Sequence, residues 1–260
     1  MTAIMQLQPR AVSRAEWLVA RKALLAREKD LIRARDALSA ERRALPLVRI
    51  EKPYRFDAPG GEVDLADLFD GRRQLIVYHF MFDPAWEEGC PSCSHCADSF
   101  AGAVAHLAAR DTAFTAVSRA PITKVEAFRK RMGWTFRWVS SFRSDFNYDF
   151  HVTLDEDAGS VEYNFASATA LHARGKLWYT RGELPGLSVF LREGDEIYHS
   201  YSAYARGLDP LLNTYTLLDM TPLGRQDETG GNPQAWIRHH DRYAPGAAAE
   251  VPGCCHDHAR

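Results

Sequence analysis

Nowhere does an apolar run approach the roughly 20 residues that a membrane-spanning helix needs. Neither sign of charge dominates: 32 Lys and Arg stand against 34 Asp and Glu, a formal net charge of −2. That balance gives no electrostatic reason to expect nucleic acid or an anionic membrane as partner. The arginine-rich first 50 residues lack the apolar core of a secretory signal, so a cytoplasmic protein is expected. Cysteine is scarce and odd in number, five in 260 residues, which argues against a fully paired disulfide framework. In a reducing compartment, clustered cysteines are more often catalytic or metal-binding than structural. No internal repeat is visible.

The cysteines fall in two places. Cys90-Pro91-Ser92-Cys93-Ser94-His95-Cys96 follows an apolar run that reads as a buried strand, and Cys254 and Cys255 stand near the end. A Cys-x-x-Cys that follows a strand and opens a helix is suited to thiol chemistry. The unpaired N–H groups and partial positive charge of a helix start both favour a thiolate. Cys90 takes the N-cap position and Pro91 the first helical position, where a missing N–H costs nothing. Cys93 comes one turn later, within disulfide reach of Cys90.

Residues 13–44 read as one long helix. Ser13 and Glu16 make a capping box, and Trp17, Leu24, Leu31 and Leu38 recur every seven residues, widened by Leu18, Leu25 and Ile32. The stretch is either a helix laid along its own domain or, since a seven-residue repeat suits a second helix, the arm of a homodimer. Residues 1–50 are therefore expected to form an N-terminal helical arm. Over 51–225 the pattern alternates. A strand is expected at 74–82, a helix at 92–110, a strand at 112–118, and a helix capped by Thr123 and Glu126 that runs to about Met132. The aromatic-rich stretch 134–180 reads as an insertion with short strands. A hairpin at 187–191 and 196–202 around Glu193-Gly194-Asp195 and a helix at 209–219 close the domain. This order predicts an α/β domain whose mixed sheet, part parallel and part antiparallel, is flanked by helices. Residues 226–260 form a polar tail whose Ala/Gly/Pro linker carries Cys254-Cys255-His256-Asp257-His258.

The element order, with Cys-x-x-Cys on the first helix, resembles the thioredoxin fold, and Gly61 to Phe69 leading into Leu75 to Tyr78 resembles the entry of its peroxiredoxin-like branch. Several segments resemble the DUF899 family more closely. They include Tyr78-His79-Phe80-Met81-Phe82, Gly89-Cys90-Pro91-Ser92-Cys93-Ser94, Val117-Ser118-Arg119-Ala120-Pro121, Met132-Gly133-Trp134 and Leu184-Pro185-Gly186-Leu187-Ser188. The likeness runs from about residue 10 to 243 and leaves Cys96 and the tail outside the common pattern. It implies a thioredoxin-like (peroxiredoxin-branch) fold and a dithiol–disulfide oxidoreductase that needs no cofactor. Its partners would be a thiol or disulfide substrate, a reductant protein or a small-molecule thiol. On this reading Cys90 is the attacking thiolate, with a pKa brought from about 8.5 to about 7 or lower, and Cys93 resolves the mixed disulfide. Pro185 is the candidate for the cis-proline that thioredoxin folds place beside the dithiol. Asp83, Glu87 and Glu88 would oppose ionisation of Cys90 if they face it, and Arg119 would offset them. Neither cysteine frame fits the Pro-x-x-x-Thr/Ser-x-x-Cys of peroxiredoxins.

A metal site is the rival reading. Cys90, Cys93 and Cys96 lie three apart, so on a helix they project from one side, and thiolates so placed suit copper, zinc or iron. Cys254, Cys255, His256 and His258 would complete a Cys/His set from the tail. His79, His239 and His240 are further candidate ligands.

Overall fold

Two units make up the chain, Met1–Pro46 and Leu47–Arg260, and the computed structural model describes residues 10–157, 159, 161–226 and 232–243. The first unit is a 30-residue helix, α1 (Arg14–Arg43). Its predicted capping box is present: Ser13 Oγ accepts the Glu16 N–H at 3.2 Å, and Glu16 Oε2 accepts the Ser13 N–H at 2.9 Å. None of its residues is buried, and Trp17, Leu24, Leu31 and Leu38 are all exposed. Arg21 and Glu28 bond to each other at 2.9 Å.

The second unit begins with three short strands, β1 (Val48–Arg49), β2 (Arg55–Ala58) and β3 (Gly61–Asp64), before β4 (Gln74–His79). Helices α2 (Pro91–Ala97) and α3 (Ala101–Ala108) lead to β5 (Thr112–Ser118), and α4 (Ile122–Arg131) leads to β6 (Arg137–Ser140). After α5 (Phe146–Asp149) come β7 (Thr153–Asp155), β8 (Glu162–Tyr163), β9 (Ala166–Ser167), α6 (Ala168–Ala173) and β10 (Arg181–Glu183). The hairpin β11 (Gly186–Glu193) and β12 (Glu196–Tyr204) then leads through a 3-10 stretch, Ala205–Leu211, to α7 (Asn213–Leu218). No helix among the described residues is long and apolar enough to cross a membrane.

The main sheet has eight strands in the order β1-β12-β11-β4-β5-β6-β2-β3. Strands β4, β5 and β6 are parallel, and β11 runs antiparallel to both β4 and β12. This is the mixed α/β sheet that the pattern predicts. The inner strands read as near-continuous apolar runs because both their faces are covered. Leu75 and Val77 pack on one side with Phe146, Phe150 and Phe190, while Tyr78 and Phe80 pack on the other with Cys93, Cys96 and Trp138. The hairpin closes where expected, Glu193 opposite Glu196, and Gly194 supplies a φ of +61° that a Cβ would penalise.

Four local expectations fail for reasons the packing makes plain. The helix expected over 92–110 is two helices. Asp98 at the break accepts bonds from Trp134 Nε1 at 2.8 Å and His240 Nδ1 at 2.7 Å, and Phe100 turns its ring onto Tyr78 and Phe114. Helix α4 starts after Pro121, with no side-chain cap, and Glu126 is bonded to Arg129 instead of capping. The aromatic stretch is not wholly an insertion, because Arg137–Ser140 pairs with β5 in the main sheet. The closing helix is shortened to Asn213–Leu218, because the chain before it, Pro210 included, winds as the 3-10 stretch Ala205–Leu211 and ends at Leu212 with a non-helical backbone (φ −93°, ψ 76°).

Candidate active site

The end of β4 and the start of α2 are tied together by backbone bonds. Cys90 N–H donates to Met81 O at 3.0 Å, and Met81 N–H donates to Cys93 Sγ at 3.5 Å. Cys90 is the N-cap of α2 and Pro91 its first residue, as predicted, and the Cys90 carbonyl takes both the N–H and the hydroxyl of Ser94 at 2.9 Å. Gly89 is packed so closely that a Cβ would lie 2.7 Å from the Phe80 ring and 2.8 Å from the Phe128 ring. His239, buried, fixes the same residue from the far end of the chain. Its Nε2 bonds Gly89 O at 2.9 Å, while Arg131 stands 3.3 Å from Nδ1. Since Arg131 can only donate, Nε2 carries the proton and donates to Gly89.

All three described cysteines are free: Cys90 half-buried, Cys93 and Cys96 buried. The Cys90 thiol is lowered to about 7, chiefly because the Cys93 thiol donates to it. Burial opposes this, and the N–H groups of Cys93 and Ser92 and the Ser92 hydroxyl add to it. Burial, with the Cys90 sulfur beside it, holds Cys93 well above the ordinary thiol range. Burial also pushes Cys96 up to about 12. The pair is thus divided into an ionisable outer sulfur and a protonated inner one. The Tyr78 hydroxyl, buried beneath α2, lies within hydrogen-bond reach of both inner sulfurs.

The acidic residues expected to oppose Cys90 have other partners. Glu88 bonds Arg131 at 2.6 Å and also Arg242, Glu87 lies 3.4 Å from Lys124, and Asp83 caps the Ala85 N–H at 2.7 Å. Arg119 does not offset them at Cys90. Its guanidinium lies over the Tyr148 ring and 3.5 Å from the Glu183 carboxylate, which claims its charge. The register that sets Gly186 opposite His79 places Pro185 next to the end of β4. It is not cis, because every described peptide bond is trans. Its surroundings hold the chain on both sides, Leu184 N–H on Val152 O at 2.7 Å and Pro185 O under the Tyr163 hydroxyl at 3.0 Å.

Glu183 was not foreseen. Its side chain is only 2% exposed, both its oxygens accept the Thr153 hydroxyl at 2.9 and 3.0 Å, and burial raises it to about 7. Arg119 pulls the other way, and the charge of Asp83 reaches it from the dithiol loop. A carboxyl beside Pro185 was the available sequence signal, but nothing in the sequence gave its depth.

The candidate histidine ligands are committed elsewhere. His79 bonds Ser188 at 2.8 Å on the sheet face away from Cys93, with burial bringing it down to about 3. His239 holds Gly89, and His240 bonds Asp98. Among the described residues no group of three His, Cys, Asp or Glu is placed to hold a metal ion. Cys254, Cys255, His256 and His258 lie outside the described residues. The last described segment, 232–243, is fastened beside the dithiol loop through His239 and Arg242 and through Asp241, which takes both Arg131 Nε at 2.8 Å and a terminal nitrogen at 2.9 Å.

A Cys-x-x-Cys at the start of the helix after β4, with β11 and β12 returning antiparallel beside that strand, gives this chain a thioredoxin-like α/β fold. The chain belongs to the DUF899 family, described as bacterial protein of unknown function, which it matches over residues 6–243. No curated protein matches it. Several solved structures similar to it are peroxiredoxins. A cysteine-to-serine mutant of PrxQ from Xylella fastidiosa is 12% identical, covering 63% of this chain and 88% of its own at a TM-score of 0.41. A peroxiredoxin Q mutant from Xanthomonas campestris is 15% identical, covering 63% and 90% at 0.41. The peroxidoxin BcpB from Mycobacterium tuberculosis is 13% identical, covering 65% and 94% at 0.40.

Proposed function

We propose that the protein is a dithiol–disulfide oxidoreductase working through Cys90 and Cys93. What carries this reading is the division of the two thiols: Cys90, at the helix start, ionises at about pH 7 while Cys93 donates to it and stays protonated. The Cys90 thiolate attacks one sulfur of a substrate disulfide, forming a mixed disulfide and expelling the other sulfur as a thiolate. Cys93 then gives up its proton and attacks Cys90, closing the Cys90–Cys93 bond and releasing the second substrate thiol. Two electrons pass to the substrate, and a reductant thiol, small or protein-borne, returns them. The half-exposure of Cys90 against the burial of Cys93 fits that order of events, since only Cys90 meets solvent.

The test is alkylation of the reduced protein at pH 7 together with Cys93→Ser. Iodoacetamide is expected to label Cys90 before Cys93, and Cys93→Ser is expected to accumulate mixed disulfides on Cys90 because the resolving step is gone. Preferential labelling of Cys93 would overturn the assignment. Metal analysis of protein purified without chelator addresses the rival, for stoichiometric copper, zinc or iron on Cys90, Cys93 and Cys96 would replace exchange with metal binding.

A further inference from the structure

We propose that Cys96 is a third redox thiol, to which the disulfide passes from Cys90 after it has formed. The inference rests on the dithiol reading above. The motif is two overlapping Cys-x-x-Cys sequences that share Cys93, the second being Cys93-Ser94-His95-Cys96. Both Cys93 and Cys96 lie in α2, one turn apart, and each is 2% exposed. Helix geometry sets α-carbons three residues apart at about 5 Å, inside the range of about 4.4–6.8 Å that disulfides span. The two sulfurs lie on the same side of the helix, packed in one cluster over β4, where both come within reach of the Tyr78 hydroxyl. Cys96 sits in the last turn of α2, directly before the break at Asp98–Phe100, so adjusting its backbone disturbs little of the helix.

The step is an internal exchange. Cys96 loses its proton and attacks Cys93 Sγ of the Cys90–Cys93 disulfide. The Cys93–Cys96 bond forms, the Cys90–Cys93 bond breaks, and its electron pair leaves on Cys90. The proton ends on Cys90 or on water, and there is no net oxidation. With Cys93 held in a disulfide its thiol no longer donates to Cys90, but the N–H groups of Cys93 and Ser92 and the Ser92 hydroxyl at the helix start still stabilise a departing Cys90 thiolate. The slow part is ionising Cys96, whose burial keeps it protonated. The consequence is an oxidised form in which the bond is stored in the core while the outer thiolate is free again.

The test uses the full chain carrying Cys254→Ser and Cys255→Ser. The reduced protein is mixed with diamide, quenched in acid at intervals and alkylated, and the labelled cysteine among the three is located by fragment-ion mass spectrometry. The label is expected on Cys96 at early times and on Cys90 at late times. Adding Cys90→Ser should still allow diamide to consume two thiols, now as Cys93–Cys96. A label that stays on Cys96 at all times, with no thiol loss in the Cys90→Ser protein, overturns the proposal and leaves the dithiol reading standing. Three labelled cysteines at every time would instead overturn the dithiol reading itself.

Discussion

Replacing Cys90 by serine is expected to reduce disulfide turnover to the uncatalysed background and to remove the fast alkylation near pH 7 from the three described cysteines. The two remaining described thiols are buried, and both ionise only above the ordinary thiol range. Residual alkylation of Cys93 and Cys96 in the variant should therefore appear only in alkaline solution, whereas Cys90 of the natural chain reacts through a thiolate half-formed at about pH 7. Its rate should rise with pH and level off above 8, being about a hundredfold lower at pH 5 than on the plateau. The same shift affects stability. Cys90 is lowered from 9.0 to about 7, so the folded reduced chain sheds this proton before the unfolded chain does. Its contribution is complete above pH 9 and is lost as pH falls through 7. Stopped-flow alkylation across pH 5–10 checks the first point. A profile for Cys90→Ser that keeps a midpoint near 7 would move the reactive thiol elsewhere.

Where the sequence was readable, the controlling interactions are local. Cys90 and Pro91 set the helix start through N-cap and first-turn chemistry, and the apolar run at 74–79 becomes an inner strand because both its faces are covered. Gly194 turns the hairpin through its own backbone freedom. What was misread is controlled from afar. The helix break at Asp98 depends on Trp134 and on His240, 36 and 142 residues away. His239 reaches back 150 residues to hold Gly89, which no periodicity announces. Arg119 follows directly on β5, the strand beside β4, which in the sequence suggests a place near the thiol. That strand end also faces the β7–β10 ribbon, where Glu183 outcompetes any role for it at Cys90. Burial of a carboxyl is a property of the finished packing, so the nearness of Glu183 to Pro185 in the sequence gives no sign of its depth.

Glu183→Gln is expected to reverse the usual sign of a buried-polar substitution and make the protein more stable at neutral pH. The carboxyl titrates at about 7 in the folded chain against 4.5 for the ordinary group, mainly because burial penalises its charged form. A group whose folded pKa is raised binds its proton more tightly in the native state. Its stabilising share is whole below pH 4.5 and is lost as pH climbs through 7. Over that window the loss amounts to about 3 kcal/mol, roughly 1.4 kcal/mol for each unit of pKa. Glutamine has no charge to lose, and its amide oxygen can still accept the Thr153 hydroxyl that both Glu183 oxygens now take. Arg119 gives up its ion pair, but it stays over the Tyr148 ring and is partly solvated, which limits the cost. The difference in Tm, variant minus natural chain, should therefore grow between pH 5 and pH 8 by several degrees, at about 2–4 °C per kcal/mol for a chain of this size. Glu183→Leu provides the contrast, since it leaves both Thr153 and Arg119 without a partner and should be less stable than Glu183→Gln throughout. If the natural chain and Glu183→Gln show parallel Tm curves from pH 5 to 8, the Glu183 carboxyl is charged across the whole range. The ion pair with Arg119, and not burial, then governs this corner of the site.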